Sequence, residues 1–174
     1  KEDDGIPYLD FVEFDDEGNA VKRLKTTTSR RRVPIHEEVI KIGFLDYVEQ
    51  RRSQDSVGWL FPDVVPDSLG NRGAKISKWF GRIRNKILGK QIRRGDKSIH
   101  SFRHAVADAV RSITDSDEIL FEIGGWGKRN GQNSSRNYGK GDLKRLKKVV
   151  DQIGFKGFDP AFLYPNNSHT SANQ

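Results

Sequence analysis

Apolar and polar positions follow two rhythms along the chain. Residues 6–12 (IPYLDFV), 20–24 (AVKRL) and 30–35 (RRRVPI) are short runs of strand character, divided by the turn-forming DDEGNA and the polar KTTTS. Gly18-Asn19 can take positive φ, and Pro34 cannot donate to a ladder, so the pattern predicts a small antiparallel meander ending at Pro34. From residue 36 the period becomes helical. HEEVIKIGFLDYVEQRR (36–52) spaces Val39, Ile40, Ile42, Leu45 and Val48 as one helix would. Residues 74–90 gather Ile76, Trp79, Phe80, Ile83, Ile87 and Leu88 inward, with Lys75, Lys78, Arg82, Arg84 and Lys86 around the other side. Further helices are expected over 98–113, over 117–123 and over about 141–153. Asp115, Ser116 or Asp117 can cap the second of these and Gly124-Gly125 can stop it; Asp142 is placed to cap the third. Residues 57–73, 91–97 and 126–137 read as loops, and NNSHTSANQ as a polar tail (166–174). The expected fold is α+β, mostly helical, with a small three-stranded antiparallel sheet on the N-terminal side, in one domain over 1–165.

Composition sharpens this picture. The 174 residues include ten Phe, four Tyr and three Trp, enough for a core although the mean hydropathy is −0.75. No apolar run is long enough to span a bilayer and no secretory signal pattern is present, so no membrane partner is expected. The lack of cysteine excludes a disulfide framework and a cysteine zinc site. A chain that starts at Lys1 and contains no Met is expected to be a fragment of a longer product. The net charge of +7 is unevenly spread. Residues 66–113 carry twelve Lys/Arg against three Asp/Glu, whereas residues 1–65 carry ten against fourteen. A middle segment this basic is the electrostatic footprint of a polyanion, most simply nucleic acid.

The stretch KSIHSFRHA (97–105) sets an unusual group of side chains in that segment. On a helix His100, Arg103 and His104 share a face, because i, i+3 and i+4 are neighbours. Apolar residues surround them: Ile99, Phe102, Ala105, Val106, Ala109 and Val110. Tyr138 stands just past a loop, in SRNYGKGDLKRL, with Gly139 and Gly141 beside it. Lys25 lies at the turn between two expected strands. Each residue has a plain reading too: a turn lysine, a surface tyrosine, and for Trp126 a core aromatic.

Three motifs in order resemble the tyrosine recombinases, the phage integrase family. KSIHSFRHAVADAV looks like their HxxRH box, KTTTSRRRVPI like their β-hairpin lysine segment, and FEIGGWGKRNGQNSSRNYGKG like the closing stretch with the nucleophilic tyrosine. The likeness runs over residues 6–153. It implies that Tyr138 attacks a DNA phosphate to form a 3′-phosphotyrosine and that Arg103 binds the non-bridging oxygens. His100 would act in proton transfer there, Trp126 would fill a position that is His or Trp in the family, and Lys25 would protonate the departing 5′-oxygen. His104 would be structural, hydrogen-bonded beneath the site. Arg72, Lys75, Lys78, Arg82, Arg93 and Arg94 would hold the duplex backbone. The implied enzyme integrates or recombines double-stranded DNA without ATP, metal or small-molecule cofactor, as a homotetramer on DNA, in a cytoplasmic, nucleoid-associated setting. The chemistry suits these residue types: planar guanidinium donors match phosphoryl oxygens, and a phenol needs nearby cations to lose its proton.

The chain departs from the family pattern twice. The first catalytic arginine would lie upstream of the first strand, where KEDDG has none, so the catalytic domain is expected to be N-terminally truncated. The loop from Trp126 to Tyr138 is longer than usual, so Tyr138 could act in cis or from a neighbouring subunit. Three rivals stand beside the recombinase: a non-catalytic DNA-binding module on the same scaffold, a type IB topoisomerase-like relaxing enzyme, and an RNA-binding protein.

Overall fold

The computed structural model describes residues 1–12, 30–55, 58–89, 97–126 and 142–165. Helix accounts for 52% of them, beside one three-stranded antiparallel sheet, as the α+β expectation has it. The chain divides into two compact units: Lys1–Gly43 with Val106–Gln174, and Phe44–Ala105.

The sheet of the first unit is ordered β1 (Glu2–Asp3), β2 (Ile6–Phe11), β3 (Arg31–Pro34). Two of its strands are the expected runs at 6–12 and 30–35, paired directly with Tyr8 opposite Pro34 and Phe11 opposite Arg31. The third strand among the described residues is Glu2–Asp3, which pairs with Ile6–Pro7 through a two-residue turn. Asp4 and Gly5 both have positive φ, 51° and 73°, the backbone that closes a tight hairpin without splaying right-twisted strands. The expected strand at 20–24 lies outside the described residues, as does the tail 166–174.

The single helix expected over 36–52 is two: α1 (Glu37–Lys41) and α2 (Phe44–Gln54). Gly43, with φ +87°, ends the first of them. Only glycine takes that conformation cheaply, and the apolar period ran across the break without revealing it. The helix expected at 74–90 is α3 (Gly73–Leu88). The last three are α4 (Ser101–Ile113), α5 (Asp117–Gly124) and α6 (Leu143–Val150). Of the three cap candidates for α5, Ser116 does the work, accepting from the Ile119 N–H, and Gly125 closes the helix in the left-handed region. Asp142 caps α6 by accepting from the N–H groups of Lys144 and Arg145.

The core of the first unit joins the later part of α4 to α5 and α6: Ala107, Val110, Ile119, Leu120, Ile123, Leu146, Val149 and Val150. Val110 is wholly inaccessible and Leu146 is 2% exposed. Val33 of β3, Ile113 and Trp126 pack against this cluster. α6 therefore buries Leu143, Leu146, Val149 and Val150 in its own unit. His36 fastens the sheet side to the chain just past α6. Its Nδ1 accepts from the Glu38 N–H, and its Nε2 donates to the Ile153 carbonyl at 2.9 Å. Lys147 adds a bond from Nζ to the Ile35 carbonyl at 3.0 Å.

The segment FDPAFLYP ends in a short 3₁₀ turn, Pro160–Leu163, capped by Asp159. Tyr164 then donates its hydroxyl to Glu38 on α1, while Phe158 and Phe162 stay exposed. That hydroxyl, more than the neighbouring Lys41 ammonium, holds the Glu38 carboxyl below its usual value.

The second unit comprises α2, an irregular stretch, α3 and the start of α4, and none of its described residues is buried. Specific contacts order it instead. Tyr47 donates to the Leu60 carbonyl at 2.6 Å and stacks on Phe61. Asp67 accepts from the N–H groups of Leu69 and Asn71, and Asn71 in turn accepts from the Gly73 N–H at the start of α3. Phe80 and Phe102 meet edge to face, 5.5 Å between centroids.

Two outcomes follow for stability. Leu146→Ala loses about 2–5 kcal/mol in denaturant unfolding, the range for a truncated core leucine, whereas Leu69→Ala, on a side chain 90% exposed, stays within about 0.5 kcal/mol. A depressed carboxyl stabilises the fold above its ordinary titration range, and the effect is lost as pH falls through the lowered folded value. The melting-temperature gap between wild type and Tyr164→Phe is thus largest near neutral pH and closes in strong acid; a gap that widens in acid would contradict the assigned contact.

Candidate nucleic-acid interface

The basic face is built on α3 and on the start of α4. Lys75, Lys78 and Arg82 are all exposed on α3. Their spacing, i, i+3 and i+7, sets them along one side of the helix. Arg84 is half-buried and is engaged locally: Nη1 donates to the Lys97 carbonyl at 2.6 Å, and Nε and Nη2 donate to Asn85 Oδ1. That bond ties the end of α3 to the strand of chain entering α4.

α4 opens with a reciprocal serine arrangement. The Ser98 N–H donates to Ser101 Oγ, and the His100 N–H donates to Ser98 Oγ. His100 stands one residue before the helix, in a turn that already carries the helical path, since the Arg103 N–H donates to its carbonyl at 3.0 Å. The shared face expected of KSIHSFRHA is therefore present. The rings of His100 and His104 lie edge to face, 5.5 Å between centroids, with Arg103 on the same turn. His100 and His104 are exposed; Arg103 is half-buried and makes a polar or electrostatic contact of its own. His104, expected to be hydrogen-bonded beneath the site, is an exposed ring against His100.

Arg72, expected as a contact to the duplex backbone, has partners within its own unit. Its guanidinium stacks on Trp59, 4.0 Å from the ring centroid, and Nη1 donates to the Val64 carbonyl at 2.5 Å. These contacts organise the irregular stretch ahead of α3. A loop punctuated by Gly58, Pro62, Pro66 and Gly70 has little regular structure of its own, and a stacked arginine supplies both packing and a donor.

Trp126 belongs to the first unit. Its ring lies over Gly124, where a Cβ would sit 1.7 Å from the indole, and it packs on the buried cluster. Lys25, Tyr138, Arg93 and Arg94 lie outside the described residues. The structure thus brings His100, Arg103 and His104 together on one turn and sets Lys75, Lys78 and Arg82 in a row. Arg31 escaped the sequence reading. Its signal was its place opposite Phe11 in the strand pair, visible only once the register is known. Among the described residues no group of three or more His, Asp or Glu could hold a metal ion, and no helix is long and apolar enough to cross a membrane. Comparison with protein-family models, curated proteins and solved structures returned no match.

The row of cations generates a direct expectation. Each phosphate contact removed lowers the slope of log affinity against log salt by about 1, so Lys75→Ala, Lys78→Ala and Arg82→Ala each flatten the salt dependence of duplex binding by that amount. Arg72→Ala leaves the slope within error and instead changes the near-ultraviolet circular dichroism of Trp59. Slopes equal to that of wild type for Lys75→Ala, Lys78→Ala and Arg82→Ala would remove α3 from the interface.

Proposed function

We propose that this chain is the catalytic domain of a tyrosine recombinase that cuts and rejoins double-stranded DNA. The observation that carries the reading is the grouping of His100, Arg103 and His104 on the first turn of α4, within the segment that carries twelve basic residues against three acidic ones. The ordered motifs around Lys25, Trp126 and Tyr138 support it from the sequence.

In this reading a scissile phosphate lies against the His-Arg turn. The Arg103 guanidinium faces the two non-bridging oxygens, whose charge rises in the transition state, and His100 donates to the same group. The Tyr138 oxygen forms a bond to phosphorus as the bond from phosphorus to the 5′-oxygen breaks, and Lys25 gives that oxygen its proton. The product is a 3′-phosphotyrosine and a free 5′-hydroxyl. A 5′-hydroxyl from another strand reverses the step: it attacks phosphorus, and the phenolate of Tyr138 leaves and recovers a proton. One phosphodiester is exchanged for another, so no external energy source enters the balance. Trp126 fills the position that is His or Trp in that family. Lys75, Lys78 and Arg82 hold the duplex backbone, and exchange between two duplexes is carried out by a homotetramer on DNA in a nucleoid-associated setting.

The test is covalent capture. The full-length protein carrying this chain is incubated with a random-sequence library of nicked duplexes, and adducts stable to denaturant are recovered and sequenced. Wild type gives adducts that converge on one site, and Tyr138→Phe gives none. Arg103→Ala cuts the rate by about 10²–10³, the usual cost of one transition-state donor, with duplex affinity nearly unchanged. Tight duplex binding with no adduct identifies a binding module instead, and adducts without site preference identify a relaxing enzyme.

A further inference from the structure

β3 begins at Arg31, directly after the segment that carries Lys25, and α5 ends at Gly124, just ahead of the segment that carries Tyr138. One side chain joins these two points. The Arg31 guanidinium lies 4.0 Å from the ring centroid of Phe11, its cross-strand partner, and Nε donates to the Ile123 carbonyl at 3.2 Å. That carbonyl belongs to the last turn of α5, where carbonyls lack helical partners and a cation is favoured.

The two glycines beyond it fit the same arrangement. Gly125 is in the left-handed region at φ +64°, with its N–H donating to the Phe121 carbonyl at 2.7 Å. A Cβ there would meet Arg31 Nη1 at 2.6 Å and Cζ at 2.9 Å. A Cβ at Gly124 would meet the Trp126 ring at 1.7 Å. Gly124-Gly125 therefore does more than stop a helix. It lets a guanidinium and an indole close directly onto the backbone at residues 124–126, and the α5 exit is clamped between them.

We propose that Arg31 is a positioning residue that locks the exit of α5 to the start of β3. The proposal rests on the recombinase reading, and it adds a residue that touches no substrate. A proton donor and a nucleophile on two separate segments must meet at one phosphate, and a displacement of about 1 Å between them can cost about a hundredfold in rate. A guanidinium suits the task because its stem is rigid at the fork and it serves a ring face and a carbonyl at once.

The test measures three things in the full-length protein: single-turnover adduct formation at saturating DNA, duplex affinity, and hydrogen exchange by mass spectrometry over residues 119–126. Arg31→Ala is expected to slow adduct formation by about ten- to a hundredfold, the scale of a misplaced reacting group, with affinity within about twofold. Exchange rises in 119–126 and not in α6. Arg31→Lys keeps the charge over Phe11 without the fork and recovers part of the rate. Gly125→Ala reproduces the defect and provides the second variant should Arg31→Ala unfold. Combined with Arg31→Ala it adds less than it does alone, because the atom it strikes is gone. An unchanged rate, a rate loss explained by lost affinity, exchange that rises throughout the protein, or fully additive effects of the two changes would each overturn the assignment. Should wild type form no adduct at all, the recombinase reading falls and positioning falls with it. Exchange over 119–126 then reports separately whether the clamp exists.

Discussion

The burial of the second half of α4 is the constraint on which the remaining features depend. Ala107 and Val110 are enclosed by Ile119, Leu120 and Ile123 of α5 and by Leu146, Val149 and Val150 of α6. Interiors of this kind pack at crystal-like density, so a helix seated in one has little freedom to rotate about its axis. The first turn of the same helix carries His100, Arg103 and His104. Their common face follows from the helical period, which sets i, i+3 and i+4 side by side.

Around this core, several polar contacts are placed at joints between elements. His36 and Lys147 join the sheet side to α6 and the chain just past it through backbone carbonyls of Ile153 and Ile35. Tyr164 joins the C-terminal segment to Glu38 on α1. Arg31 joins β3 to the end of α5. Each satisfies a backbone or side-chain acceptor that secondary structure leaves open, which is where one hydrogen bond matters most. The exposed ion pairs on α1 and α4, such as Lys41 with Glu37 and Arg111 with Asp108, contribute little by comparison. The second unit follows another logic. With none of its described residues buried, it relies on Arg72 against Trp59, Tyr47 against Phe61 and Phe80 against Phe102. Its exposed cations are free of the desolvation that a denser core would impose.

Local signals read well from the sequence because their causes are local. The period of α3 and α6, the Ser116 and Asp142 caps and the left-handed Gly125 each depend on residues within four positions of one another. The turn carrying His100, Arg103 and His104 was legible for the same reason. Misreadings came where two local signals competed. Apolar spacing over 36–52 continued through Gly43, and its single positive φ divided the helix. The Asp4-Gly5 hairpin was also local and was passed over, because two residues of strand leave no period to detect.

By itself, then, the amino-acid order determined the α+β class, the positions of most helices, the concentration of positive charge over 66–113 and the shared face at the start of α4. Only the tertiary structure decided that Arg72 stacks on Trp59, that His104 stays on the surface and that His36 bonds to Ile153 across 117 residues. It alone set Arg31 against Ile123, 92 residues away. Helical period and caps are encoded between near neighbours, whereas the partner of a lone polar side chain depends on which distant backbone the packed core brings within 3 Å or so of it.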